Sequence, residues 1–204
     1  MFLENTAGED YIYQKAKKVT RSDKFLSFTF LKLLPSWVTP NHLTIFRFLS
    51  IPFVLLLLVG EEYLFAMFLF IISAFSDALD GALARTQDKI TNWGKLFDPL
   101  ADKLLIGTTA VVLIPKFLSI WLAFAIIFIE LVIILGAYYK KRYKGVTVQS
   151  EKFGKMKMIF QSVGVIILFI YLAFPISIFL LIAQYIFYLA VAFALIQMLI
   201  YESV

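Results

Sequence analysis

Residues 76–105 read SDALDGALARTQDKITNWGKLFDPLADKLL. This stretch joins two apolar runs, 62–84 and 96–114, yet places Asp77, Asp80, Asp98 and Asp102 inside them. A carboxylate at mid-bilayer costs about 2.5–3.5 kcal/mol on insertion scales, so four that were deep and unpaired would cost on the order of 10 kcal/mol. Nearer the helix ends the cost is lower, but such a cluster still calls for a cation or a water-filled cavity. Asp77 and Asp80 are three residues apart, and Asp98 and Asp102 are four apart, so helical spacing puts each pair on one face. Where two such faces meet, four carboxylates converge on an all-oxygen site of the kind that Mg²⁺ or Mn²⁺ takes together with phosphate oxygens. Gly81, Ala84 and Gly94 keep those faces free of bulk. Arg85, one turn beyond Gly81, is placed to meet anionic oxygens.

The same reading extends along the chain. Apolar runs at 43–59, 62–84, 96–114, 117–139, 158–174 and 176–200 are each long enough to cross about 30 Å of hydrocarbon as a helix. They predict an all-α polytopic membrane protein with six spans. Of the 204 residues, 61% are hydrophobic and 22 are phenylalanine, and the mean hydropathy is +0.87, far above the balance of a soluble domain. Cysteine is absent and His42 is the lone histidine, so thiolate and multi-histidine metal sites are excluded and metal chemistry must be carboxylate chemistry. The first ten residues carry Glu4, Glu9 and Asp10 and no basic leader with an apolar core, so no cleavable signal peptide is expected. No nucleic-acid partner is expected either, because in a membrane protein the net charge of +5 is read by position rather than by sum.

Under the six-span assignment every Lys and Arg except Lys116 falls on one side, which the positive-inside rule makes cytoplasmic. Both termini and the aspartates are then expected to face the cytoplasm from the cell membrane. Residues 11–34 mix Lys15, Lys17, Lys18, Arg21, Lys24 and Lys32 with Tyr11, Ile12, Phe25, Phe28 and Leu31, the composition of an amphipathic helix lying in the lipid interface. Thr39-Pro40-Asn41 reads as the start of the first spanning helix. The expected division is therefore an interfacial segment, 1–38, and a six-helix transmembrane catalytic domain, 39–204.

The run Asp77-x2-Asp80-Gly81-x2-Ala84-Arg85-x8-Gly94-x3-Asp98-x3-Asp102 resembles the full signature of the CDP-alcohol phosphatidyltransferase family, with every defining position present. Thr39-Pro40-Asn41-x-Leu43-Thr44 and Arg47 are similar to that family's entry to its first span. The resemblance implies a six-helix membrane enzyme, commonly a homodimer, that moves a phosphatidyl group from a CDP-linked lipid such as CDP-diacylglycerol to an alcohol and releases CMP. It further implies that Asp77, Asp80, Asp98 and Asp102 surround two divalent ions, Mg²⁺ or Mn²⁺, and that Asp102 serves as general base. Asn41, Gly81, Ala84 and Arg85 would line the CDP-lipid site.

The acceptor is read from weaker signals. Residues 140–157 hold a cluster of basic side chains, and Gly154-Lys155-x-Lys157 resembles the opening of the fifth helix in phosphatidylglycerophosphate synthases. Arg142, Lys155 and Lys157 are therefore candidates to grip a phosphate on the acceptor. Glu130 matches a position where those synthases often carry an Arg-Glu pair, although Ile129 stands where the arginine would be. The expected acceptor is a phosphorylated polyol such as glycerol 3-phosphate. The competing class is an ion-coupled transporter that uses the intramembrane aspartates as its pathway.

Overall fold

The computed structural model of the chain describes residues 28–31, 35, 38–87, 91–144 and 151–202. Six long helices follow in order: α1 (Pro40–Val59), α2 (Tyr63–Thr86), α3 (Asn92–Phe117), α4 (Ile120–Lys144), α5 (Glu151–Ala173) and α6 (Ser177–Glu202). Four of them are long and apolar enough to cross a membrane: α1, α2, the Phe153–Ala173 part of α5 and the Ser177–Leu199 part of α6. Helix α4 contributes the shorter apolar stretch Ile120–Gly136, and the first half of α3 is interrupted by Lys95, Asp98, Asp102 and Lys103. Most of the expected interfacial segment lies outside the described residues. Within it, the Phe30 ring meets Phe75 of α2 edge-on, with centroids 5.0 Å apart.

Helix ends follow local chemistry. Thr39 caps α1 with Pro40 at the first helical position, where a missing N–H costs nothing. The Thr39 amide donates to His42 Nδ1 at 3.3 Å, so the lone histidine has a capping contact. Helix α3 passes through Pro115 and stops at Phe117 rather than breaking at Pro115-Lys116. The Ile114 carbonyl then accepts from the amides of both Leu118 and Ser119, which closes the turn into α4. Helices α4 and α5 also run beyond the apolar runs, to Lys144 and from Glu151, because lysines and arginines are good helix formers whose long stems let the charges reach water.

The described residues form two compact units, one within the chain up to Gly60 and Phe65–Leu105, the other from Glu61–Leu64 and Ile106 onward. In the first unit the polarity of a soluble helix is inverted. Helix α2 buries Ser73, Ser76 and Asp80 and exposes Phe65, Phe68, Ile71 and Ile72. Helix α1 buries Thr44, Arg47 and Ser50 and exposes Phe46, Leu49, Phe53 and Leu56. Such a pattern suits a hydrocarbon solvent, in which apolar side chains face out at no cost and polar ones must find partners inside. Ser50 and Ser73, both buried, join α1 to α2 through hydroxyls 2.6 Å apart.

The second unit is mostly apolar within, although Thr109 and Lys157 are also buried there. Helix α6 packs along α5 and against α4, burying Val165, Leu168, Phe169, Ala183, Phe187 and Ala190. A Cβ on Gly164 would come within 2.8 Å of the Phe187 ring, so this glycine lets α5 and α6 approach closely. At the helix ends Lys116 pairs with Glu61 at 2.7 Å and lies over the Tyr63 ring, 5.2 Å from its centroid.

Candidate functional site

Thr44, Arg47 and Ser50 recur every third residue along α1 and so share one face. Arg47 is fully buried, with 0% of its side chain exposed. A guanidinium at that depth is stable only among acceptors, and α2 and α3 supply them. Nη2 reaches Asp80 Oδ2 at 2.5 Å and Asp77 Oδ1 at 3.1 Å, while Nη1 donates to Asp102 Oδ1 at 2.9 Å. The fourth carboxylate is met one turn earlier on α1, where Thr44 Oγ1 donates to Asp98 Oδ1 at 2.6 Å. All four aspartates expected from the sequence are thus held to α1 by one arginine and one threonine.

The carboxylates differ in access. Asp80 is 3% exposed, Asp102 29% and Asp77 43%. Asp80 is the inner support of the cluster, whereas Asp77 and Asp102 present oxygens outward. Beside them, Thr91 Oγ1 donates to Asn41 Oδ1 at 2.9 Å and accepts from the Gly94 amide at 3.0 Å. A Cβ on Gly94 would stand 3.2 Å from Thr91 Oγ1 and 3.4 Å from Asp98 Oδ2, which explains the need for a residue without a side chain. Gly81 serves Arg85 in the same way. The Arg85 guanidinium folds back one turn, so that a Cβ on Gly81 would lie 2.9 Å from Nη2. Ala84 is partly exposed on the same helix.

Among the described residues, no three Asp, Glu or His side chains are arranged as a ready-made metal cage, since Arg47 stands between three of the carboxylates. The donor chemistry nonetheless fits hard divalent ions. The donors are all carboxyl oxygens, four such groups gathered around one guanidinium and one threonine hydroxyl.

The basic candidates belong to the second unit. Lys157 is buried and pairs with Glu130, while Arg142 and Lys155 are exposed. Gly154 lies beneath the Gln197 side chain, whose Nε2 would be 3.2 Å from an added Cβ. Sequence reasoning placed Glu130 and Lys157 near one function without pairing them. It also left Arg47 as part of an entry motif, and passed over Thr44 as a partner of Asp98 and Thr91 as a partner of Asn41. The available signal was an arginine seven residues into an apolar helix, with Thr44 and Ser50 on its face.

A CDP-alcohol phosphatidyltransferase family model matches residues 37–196, a span that contains every residue of this centre. The chain belongs to the CDP-alcohol phosphatidyltransferase family. Its relatives include proteins named CDP-diacylglycerol–glycerol-3-phosphate 3-phosphatidyltransferase. The one from Rickettsia typhi is 40% identical over 80 residues, covering 38% of this chain and 45% of the relative. The one from Bacillus subtilis is 32% identical over 142 residues, covering 62% and 73%. The one from Pseudomonas fluorescens is 37% identical over 86 residues, covering 41% and 44%. The match to the Rickettsia relative thus spans less than half of its length, whereas the family match takes in all the helices that carry the centre.

Proposed function

We propose that this family member transfers a phosphatidyl group from CDP-diacylglycerol to glycerol 3-phosphate and releases CMP. The observation that carries the reading is the convergence of Asp77, Asp80, Asp98 and Asp102 on one face of α1, inside a chain whose relatives bear that activity in their names. The transporter alternative draws no support from these relatives.

Two divalent ions held by the four aspartates would neutralise the pyrophosphate and the charge that develops on the attacking and leaving oxygens. The chain's own groups do the rest. Asp102, outward-facing and tied through one oxygen to Arg47, takes the proton of the acceptor hydroxyl as that oxygen bonds to the lipid-bearing phosphorus. The bond from that phosphorus to the CMP oxygen breaks, and the electron pair leaves with CMP. Asp80 is too buried for that role and fixes Arg47 instead. Asn41, Gly81, Ala84 and Arg85 form the CDP-lipid side, with Arg85 aimed at phosphate oxygens. For the acceptor phosphate, Arg142, Lys155 and Lys157 are the candidates, with Lys157 also paired to Glu130.

In this reading all six helices cross the cell membrane as one catalytic domain over 39–204, preceded by an interfacial segment over 1–38. The centre faces the cytoplasm, as the distribution of Lys and Arg supports, and the resemblance adds a homodimer. The test is to give the purified protein CDP-diacylglycerol, Mn²⁺ and a panel of alcohols, then identify the lipid by mass. Phosphatidylglycerophosphate is the expected product. A product formed only with serine or inositol would refute the acceptor, and absence of CMP with every alcohol would refute the reaction.

A further inference from the structure

Arg47 does more than lie near the aspartates. It is fully buried, and its two terminal nitrogens are divided among three carboxylates on two other helices: Asp77 and Asp80 of α2, and Asp102 of α3. Among the described residues no carboxylate receives the side-on double grip that a guanidinium offers through Nε and Nη, and Nε is buried with no hydrogen-bond partner among them. A side chain that fully satisfied one aspartate would be a fixed strut. One spread over three, with a donor left over, is a shared counter-charge whose contacts can be given up one at a time.

We propose that Arg47 is the resident counter-cation of the carboxylate centre. When no divalent ion is bound, it ties α2 and α3 to α1 and offsets the repulsion among the aspartates. When ions load, carboxylates leave it, so Arg47 sets how tightly the centre holds metal. This rests on the metal reading above and adds a competitor that belongs to the chain itself.

The experiment uses the full chain in detergent, with Mn²⁺ binding followed by the paramagnetic resonance of free Mn²⁺ and thermal unfolding followed with and without chelator. In Arg47→Met the chelated protein is expected to unfold several degrees below the parent. Its Mn²⁺ dissociation constant is expected to tighten by about tenfold or more, since an opposing charge has been removed. Its stabilisation by Mn²⁺ is expected to exceed the parent's. Arg47→Lys, which keeps the charge and loses the fork, supplies the comparison should the methionine variant not fold; a smaller tightening, about threefold, is expected. An unchanged or weaker Mn²⁺ affinity in whichever variant folds would overturn the counter-cation role and indicate a purely structural arginine. Failure of the parent to bind Mn²⁺ would overturn the metal reading and this inference with it, which separates the two failures.

Discussion

The interior of the first unit and the interior formed by α5 and α6 solve one problem in opposite ways. Around Arg47 the buried groups are Thr44, Ser50, Ser73, Ser76 and Asp80, and helices are joined by directional bonds. Between α5 and α6 they are Val165, Leu168, Phe187 and Ala190, and helices are joined by close fit at Gly164. In lipid there is little hydrophobic gain from association, so both polar bonds and tight packing are real sources of cohesion. Among the described residues the interior around Arg47 gathers several carboxylates, and charge is what phosphoryl transfer uses. In the proposed reading the carboxylate chemistry belongs to the first unit, while the second adds close packing and the basic acceptor candidates.

Substitutions in the two interiors are expected to separate these roles. The largest effect is expected for Asp80→Ala, which leaves Arg47 without its shortest ion pair. Orphaning one partner of a buried pair costs about 3–5 kcal/mol, so CMP release from CDP-diacylglycerol should fall to background together with thermal stability in detergent. Survival of both would mean that Asp80 is not the inner support. Next comes Gly164→Leu, which drives a side chain into the Phe187 ring and should cost about 1–3 kcal/mol in stability, as overpacking does. At a temperature where the variant is folded, its Mn²⁺ requirement should match the parent's, and a shifted requirement would break the division of labour. The smallest change is expected for Ser50→Ala, which removes one interhelical hydroxyl contact worth about 0.6 kcal/mol by membrane-protein averages. A thermal melt should barely move, and a large loss would reveal that the serine pair positions Arg47.

The sequence made the aspartate pairs legible because a 3.6-residue repeat fixes which carboxylates share a face, and because a charge in an apolar run has no bland explanation. The six helices were legible from hydropathy, with ends that shifted where Lys144 and Glu151 carried helices beyond the apolar core. Arg47 was harder to read. A single positive charge near a helix end counts equally well as a topology signal, and only the folded geometry reveals that it meets aspartates 30, 33 and 55 residues away in sequence. The pairing of Lys157 with Glu130 was hidden for the same reason, since a basic residue close to a loop is expected to face water. Contacts between helices depend on crossing geometry, which local periodicity does not encode.

The central claim is that the carboxylates held by α1 perform the transfer, with Asp102 taking the proton. Turnover and CDP-diacylglycerol binding measured side by side in Asp102→Asn test it most directly. Loss of a positioned general base costs about 10²–10⁴-fold in rate, so CMP release should fall by at least that much while the variant still binds the lipid nucleotide. Near-normal turnover in that variant would contradict the assignment.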